Sequence, residues 1–297
     1  MKKLFFMAGL ILLFAACSKE SENMVNNAQM EGTVAPVKVH VTGFSVSQED
    51  YPITRAAQNL ADYNGVKSVT LAFYNGSTEV LKTTQLRDDA TTYDTFGVFE
   101  CTLPMGSYTM VVVAYKTMED SPFELTSATS AAYTGAHVFE TFSATQAVNI
   151  VNTSAVDISA TLNRIVSKLE VHSSDGRTAN ATNIRMTFAA GGKGFNPSTG
   201  LATANTGYAN TVGISAEAGA TSNSVSYLFL ASDTQNINVT IETLDGDGNT
   251  LFSKTVENVP FKRNRVTILT GAMYSNAAVD GSFELETSWL SNYNGNF

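Results

Sequence analysis

The sequence predicts an all-β chain built as two β-sandwiches in tandem, and three observations carry that reading. Strand formers (Val, Thr, Ile, Phe, Tyr) and the turn residues Gly, Asn and Asp are abundant, whereas helical periodicity is scarce and the whole chain holds six prolines. Short segments with period-two alternation recur at close spacing, roughly seven in each half. Between Leu162 and Ile165 the apolar positions change parity, so the buried face switches there. With 297 residues the chain can form two sandwiches of about 120–130 residues each.

The N-terminus reads as an export signal. Lys2 and Lys3 precede an apolar run from Leu4 to Phe14, and Ala15 and Ala16 then lead to Cys17. This run is too short for a comfortable membrane span. A cysteine directly after the small residues resembles the lipobox of bacterial lipoproteins, which makes Cys17 the expected lipidation site; Phe14 stands where leucine is preferred. The plainer alternative is an ordinary signal peptide with an incidental cysteine. Residues 18–35 are rich in Ser, Asn and Glu without a core pattern and read as a flexible tether. The expected division is therefore signal 1–17, tether 18–35, first sandwich 36–160 and second sandwich 161–297.

The first strand is Val37, Val39 and Val41 alternating with Lys38, His40 and Thr42. Gly43 interrupts it, and Phe44 and Val46 resume with the parity flipped, as a β-bulge permits. A polar loop follows that contains Arg55 between Thr54 and Ala56. Val66–Tyr74 and Thr78–Leu86 flank Asn75–Gly76, a hairpin signal. Phe96–Leu103 and Ser107–Tyr115 read as a second hairpin around Pro104–Met105–Gly106, with Met110–Val113 apolar on both faces. Residues 116–142 lack a clear pattern beyond a helical turn near Ser127–Tyr133. Ala147–Val151 and Val156–Leu162 close the first half. The second half reads as strands at Ile165–Val171, Ile184–Phe188, Val225–Ala231, Ile237–Leu244, Leu251–Val256, Val266–Met273 and Phe283–Leu290. Asp245–Gly248 forms a tight hairpin, and Gly191–Gly219 is a Gly/Ala/Asn/Thr-rich excursion without periodicity.

Little points to catalysis or to cofactors. The net charge of −9 argues against nucleic acid, which requires basic clusters. Asp245–Asn249 resembles the start of a calcium loop, but Thr250 replaces the expected glycine and Val256 the bidentate glutamate, so a hairpin turn is favoured. Gly191–Gly194 lacks the Ser or Thr and the helix of a phosphate loop. His40, His137 and His172 lie on separate segments without ligand spacing. Cys101 sits on an apolar strand face and reads as a small buried hydrophobe. No nucleophile, base and acid set can be named, so no enzyme, cofactor or metal site is expected.

Several motifs occur in a telling order. Ile53–Thr–Arg55–Ala56 follows the first strand. Leu103–Pro–Met–Gly–Ser–Tyr108 leads into a valine-rich strand. Leu162–Asn–Arg164–Ile–Val–Ser–Lys168 opens the second half, and Asn258–Val–Pro–Phe–Lys–Arg–Asn–Arg265 precedes Thr267–Ile–Leu–Thr–Gly271. Over nearly the whole chain this resembles the fimbrillin family, the lipoprotein-derived subunits of type V pili with their anchor and tip relatives. The resemblance implies two transthyretin-like sandwiches and export to the outer membrane on a palmitate-bearing Cys17. It also implies cleavage between Arg55 and Ala56 by an Arg-specific protease. That cut would free a strand carrying Val37, Val39, Val41, Phe44 and Val46, and other pilus subunits would fill the groove. The candidate donor is the C-terminal segment with Phe283, Leu285, Thr287 and Trp289, although its polar end at Asn292–Asn296 fits a donor poorly. A different reading is a monomeric outer-membrane lipoprotein that binds glycan or a host protein through loops such as 191–219.

Overall fold

The computed structural model describes residues 33–45, 60–88, 95–274 and 284–285. The expectations for Cys17, Val46, Arg55, Ala56, Phe283, Thr287 and Trp289 lie outside these residues. The architecture is all-β, and the helical content among the described residues is a single 3-10 turn at Leu60–Asp62. Contacts group Thr33–Phe297 into one compact unit.

The first strand set runs β1 (Val34–Ser45), β2 (Ser68–Asn75), β3 (Thr78–Leu86), β4 (Val98–Pro104), β5 (Gly106–Tyr115), β6 (Phe123–Ser127), β7 (Ser130–Tyr133), β8 (Phe142–Ile150) and β9 (Val156–Arg164). Seven of these form one sheet in the order β3-β2-β5-β8-β9-β1-β4. The sheet folds over at β8 and β9, which share only the pairs Phe142↔Arg164 and Ser143↔Asn163. The fold brings β2 and β5 against β1, β4 and β9, and Val39, Leu71, Met110, Val112 and Leu162 meet in one apolar core. The β2–β3 hairpin turns at Gly76, whose φ of 60° suits a residue without Cβ.

The second set repeats this wiring with β10 (Ser167–Ser173), β11 (Asn183–Phe188), β12 (Gly194–Phe195), β13 (Tyr208–Gly213), β14 (Asn223–Leu228), β15 (Thr234–Leu244), β16 (Thr250–Lys262), β17 (Val266–Gly271) and β18 (Glu284–Leu285). Its sheets are β14-β10-β17-β18 and β13-β11-β15-β16. Strand β10 runs parallel to β17 and antiparallel to β14, as β1 does between β9 and β4. Likewise β11 pairs with β13 and β15, as β2 pairs with β3 and β5. A second core forms around Leu169, Val171, Ile184, Val239, Ile241 and Leu269.

A third apolar cluster joins the two sets. Residues on the far faces of β2 and β5 (Ala72, Tyr74, Val111, Val113) meet Tyr133, Ile165, Phe195 and Phe229 there. This explains why β5 is apolar on both faces: Met110 and Val112 enter the first core, and Val111 and Val113 the shared cluster. It also explains the parity change, because Leu162 packs into the first core and Ile165 into the shared cluster.

Several local expectations are corrected. Strands β4 and β5 are not a hairpin, because β4 pairs with β1 while β5 pairs with β2 and β8. Pro104–Met105–Gly106 is thus a crossing between layers. Ser127–Tyr133 is not a helical turn: β6 and β7 pair as a hairpin, and β7 extends to β12 through Gly194↔Ala132. The Gly191–Gly219 excursion is ordered structure. It contains β12, with Phe195 fully buried, and β13, paired along β11. Lys193 Nζ donates to the Gly135 carbonyl at 2.6 Å, which ties the excursion to the first strand set. At the Asp245 hairpin the carboxylate accepts from the backbone N–H of Asp247 and Asn249 and from the Asn249 amide, so its oxygens serve the turn.

Phe195 stacks on Phe229 with ring centroids 4.5 Å apart and is fully buried between the sets. Phe195→Ala is expected to lower stability by about 3–5 kcal/mol, read from denaturant unfolding, because a large cavity opens in the shared cluster.

Candidate strand-exchange site

The site is the slot that β1 occupies. Alternation places Ala35, Val37, Val39 and Val41 inward, all nearly or fully buried. At Gly43, φ is 145° and the register with β9 shifts between Val41 and Gly43. This bulge restores the inward face, so Phe44 is buried as well. The Phe44 ring lies 4.0 Å from Phe142 and 5.0 Å from Tyr63, centroid to centroid. Burial of such Val and Phe side chains is worth on the order of 1.5–3 kcal/mol each, before ordering costs.

Backbone pairing holds β1 on both edges. It pairs antiparallel with β4 from Val34↔Pro104 to His40↔Val98, and parallel with β9 from Val37↔Val156 to Ser45↔Asn163. The strand begins at Val34, inside the stretch read as tether. Strand β4 is the end of its sheet and has β1 as its only strand partner among the described residues. Its start has a separate support in Gln85, whose side chain is buried. Gln85 Nε2 donates to the Val98 carbonyl at 2.7 Å, and its Oε1 accepts from the Gly97 N–H at 2.7 Å.

The outward face of β1 is charged. Lys38 Nζ lies 2.8 Å from Glu100 Oε1 on β4, and Lys38 stands in register with Asp157 on β9. His40 Nε2 is 3.8 Å from Asp157 Oδ1. The hydrogen bond from Lys38 holds the Glu100 carboxyl below the usual carboxylate range. Below the Phe44 end, Tyr63 donates to Glu140, which accepts from Arg164 Nε at 2.7 Å. Burial, then the Glu140 charge, pushes the Tyr63 hydroxyl well above its ordinary value. Cys101, in register with Val37, packs against the core, and burial pushes its thiol up to about 11.

Of seven arginines in the chain, six lie among the described residues, and each of these is engaged. Arg87 donates to the carbonyls of Val66, Leu60 and Tyr63, and Arg177 to those of Ala181 and Ala216. Arg164 and Arg185 bind Glu140 and Glu242, and Arg263 binds Asp233. Of the candidate donor, Leu285 pairs with Leu269 and Glu284 with Thr270, so this piece adds to the edge of β17 in its own chain. Sequence alternation identified Val37, Val39, Val41 and Phe44 as inward residues of β1 and left the buried Ala35 in the tether. It gave no hint of Gln85, Glu100 or Asp157, which reach the slot from strands distant in sequence.

Comparison with known proteins supplies a family and a fold. A family of unknown function, DUF6562, matches residues 32–293. No curated protein matches the sequence. Among solved structures, a proposed adhesin from Bacteroides ovatus ATCC 8483 superposes with a TM-score of 0.50 at 10% identity, covering 82% of this chain and 88% of that one. The fimbrial anchor protein Mfa2 from Porphyromonas gingivalis gives 0.49 at 10% identity, covering 85% and 95%. Another proposed adhesin from Bacteroides ovatus gives 0.49 at 10%, with the same coverage. At such identity the likeness to the first of these is one of fold.

Two substitutions gauge what seats β1. Phe44→Ala is expected to cost about 3–5 kcal/mol in denaturant unfolding. Gln85→Ala is expected to cost about 1–3 kcal/mol, because it strands the buried Gly97 N–H and the Val98 carbonyl. Thr42→Val, on the exposed face, should stay within about 0.5 kcal/mol of the parent.

Proposed function

We propose, for a chain that belongs to the DUF6562 family of unknown function, that it is a structural subunit of a surface fimbria, exported as an outer-membrane lipoprotein and assembled by protease-triggered strand exchange. One observation carries this reading: an N-terminal strand sits in the interior of a sheet, paired on both edges with its apolar face buried, and the chain leaves it through the segment that contains Arg55. A cut on the C-terminal side of such a strand leaves it joined to the fold by backbone pairing and side-chain burial alone. Withdrawal of β1 exposes a row of N–H and C=O groups along β9 and β4 above an apolar floor. Such an edge recruits another extended strand. The order of the fimbrillin-like motifs and the shared fold with a proposed adhesin point the same way.

Cleavage after Arg55 removes Cys17 and β1 together, which separates lipid export from assembly in a single step. Arg87 and Arg177 both hold backbone carbonyls of the folded chain, which ties them into it; the choice of Arg55 rests on the order of the fimbrillin-like motifs. The function needs no catalytic group in this chain.

An Arg-specific protease acting on purified precursor is expected to leave a chain that begins at Ala56, read by N-terminal sequencing. SDS-resistant ladders should then appear when a compatible donor subunit is present, and Arg55→Ala should abolish both product and ladders. Equal cutting at Arg87 or Arg177 would remove Arg55 from its special role. Clean monomer with every donor would favour the monomeric glycan- or protein-binding lipoprotein.

A further inference from the structure

We infer that the slot left by β1 selects a donor strand with basic outward residues, and therefore takes a strand from a different subunit and not from a second copy of this chain. The inference rests on the strand-exchange reading and adds the chemistry of the partner. Two carboxylates line the rim of the slot, Glu100 on β4 and Asp157 on β9, with side chains 72% and 79% exposed. In the intact chain Lys38 and His40 face them from β1, and Lys38 stands between the two in register. No other charged side chain of β1 enters the balance: its remaining outward residues are Val34, Pro36 and Thr42. When β1 leaves, the rim keeps two negative charges two inter-strand spacings apart, about 10 Å, and loses the cation between them.

The chain's own tail presents the opposite pattern. If Phe283, Leu285 and Thr287 face the groove, then Glu284 and Glu286 take outward positions two residues apart, the spacing of Lys38 and His40. In that register a carboxylate replaces the lysine between Glu100 and Asp157, and like charges on adjacent strands destabilise a pair. A shift by two residues keeps the apolar face inward and places either the other glutamate or a neutral serine, Ser282 or Ser288, at the lysine's position. A shift by one turns Phe283 and Leu285 out of the groove. Residues 275–297 contain three acids and no Lys, Arg or His, so the tail holds no base to offer in any register. The groove floor also asks for three spaced β-branched or small residues, a bulge opposite Ala160–Thr161 of β9 and then an aromatic, following Val37, Val39, Val41 and Phe44.

The test uses the full chain cut between β1 and the rest, at Arg55 or at a protease site engineered into residues 46–59. The cut protein is incubated with labelled synthetic peptides: residues 34–46, the same peptide with Lys38→Glu and His40→Glu, and residues 281–291. Incorporation is read by native mass spectrometry at low and high salt. The parent peptide should exchange in. The double-glutamate and tail peptides should be taken up at least about tenfold less at low salt, with the gap closing at high salt and in the Glu100→Gln/Asp157→Asn protein, since exposed charge effects are modest and screened. Equal uptake of the parent and double-glutamate peptides would overturn the charge selection while leaving strand exchange intact. Tail uptake equal to the parent would make a second copy the partner and overturn the inference. Uptake of no peptide at all would overturn the strand-exchange reading itself, and this inference with it.

Discussion

The structure hangs on the two-edged pairing of β1. A strand at a sheet edge satisfies half of its backbone groups within the protein and leaves the rest to water, but β1 exchanges hydrogen bonds with β9 on one side and β4 on the other. Among the described residues β4 has its backbone ladder only with β1, so the same twelve residues complete the core and pair the sheet's last strand, with Gln85 as a side-chain tie at its start. The apolar side chains and the backbone ladder reinforce each other: sliding β1 by one residue would bury Lys38 and His40 and expose the valines. The Gly43 bulge fixes the register further, because only there can the chain turn Phe44 back toward Phe142.

What stands behind the slot is as important as what fills it. Strands β2 and β5 face β1 across the first core, and their other face is pressed into the cluster shared with the second strand set. No β1 residue belongs to that cluster. The floor of the slot is therefore backed by Tyr74, Val111, Tyr133, Phe195 and Phe229, contacts in which β1 takes no part. On the strand-exchange proposal, this division of labour is what would keep the layer opposite the slot from collapsing. It also gives a physical sense to the ordered 191–219 excursion, which packs Phe195 into that support.

Local chemistry made much of this legible. The Val37–Val41 alternation, the parity flip at Gly43, the Asn75–Gly76 turn and the two-faced Met110–Val113 run each follow from steric or burial rules that act within a few residues. The failures share one cause, which is that partners distant in sequence decide the outcome. Pro104–Met105–Gly106 carries turn chemistry, and turn chemistry does not distinguish a hairpin from a crossing between layers. Tyr208–Gly213 sits in a glycine-rich stretch and is a strand because β11 offers it an edge. Ser130–Tyr133 is drawn into a strand by β6 and by Gly194–Phe195, some sixty residues away in sequence. The slot was visible from one side only: its occupant could be read, while Gln85, Glu100 and Asp157 on its walls could not.

The repeat of topology sharpens the assignment of β1. Strand β10 holds the same place in the second set, between a parallel and an antiparallel neighbour, with Leu169 and Val171 buried. Pairing and burial alone would thus nominate both strands for exchange. Their ends separate them. Strand β10 follows directly on Ile165 and Val166, which are locked in the shared cluster. Beyond it the backbone N–H of Ser174 donates to Gly271, Ser173 Oγ accepts from Ser222, and the Asp175 carboxylate accepts from the backbone N–H of both Met273 and Tyr274. Two cuts and the loss of all these bonds would be needed to free β10. Strand β1 lies at the start of the compact unit, so on the strand-exchange proposal a single cut on its far side is the one that matters. Chain position, acting on a duplicated topology, is what distinguishes two strands of equivalent pairing and burial, and it is why the strand-exchange proposal falls on β1.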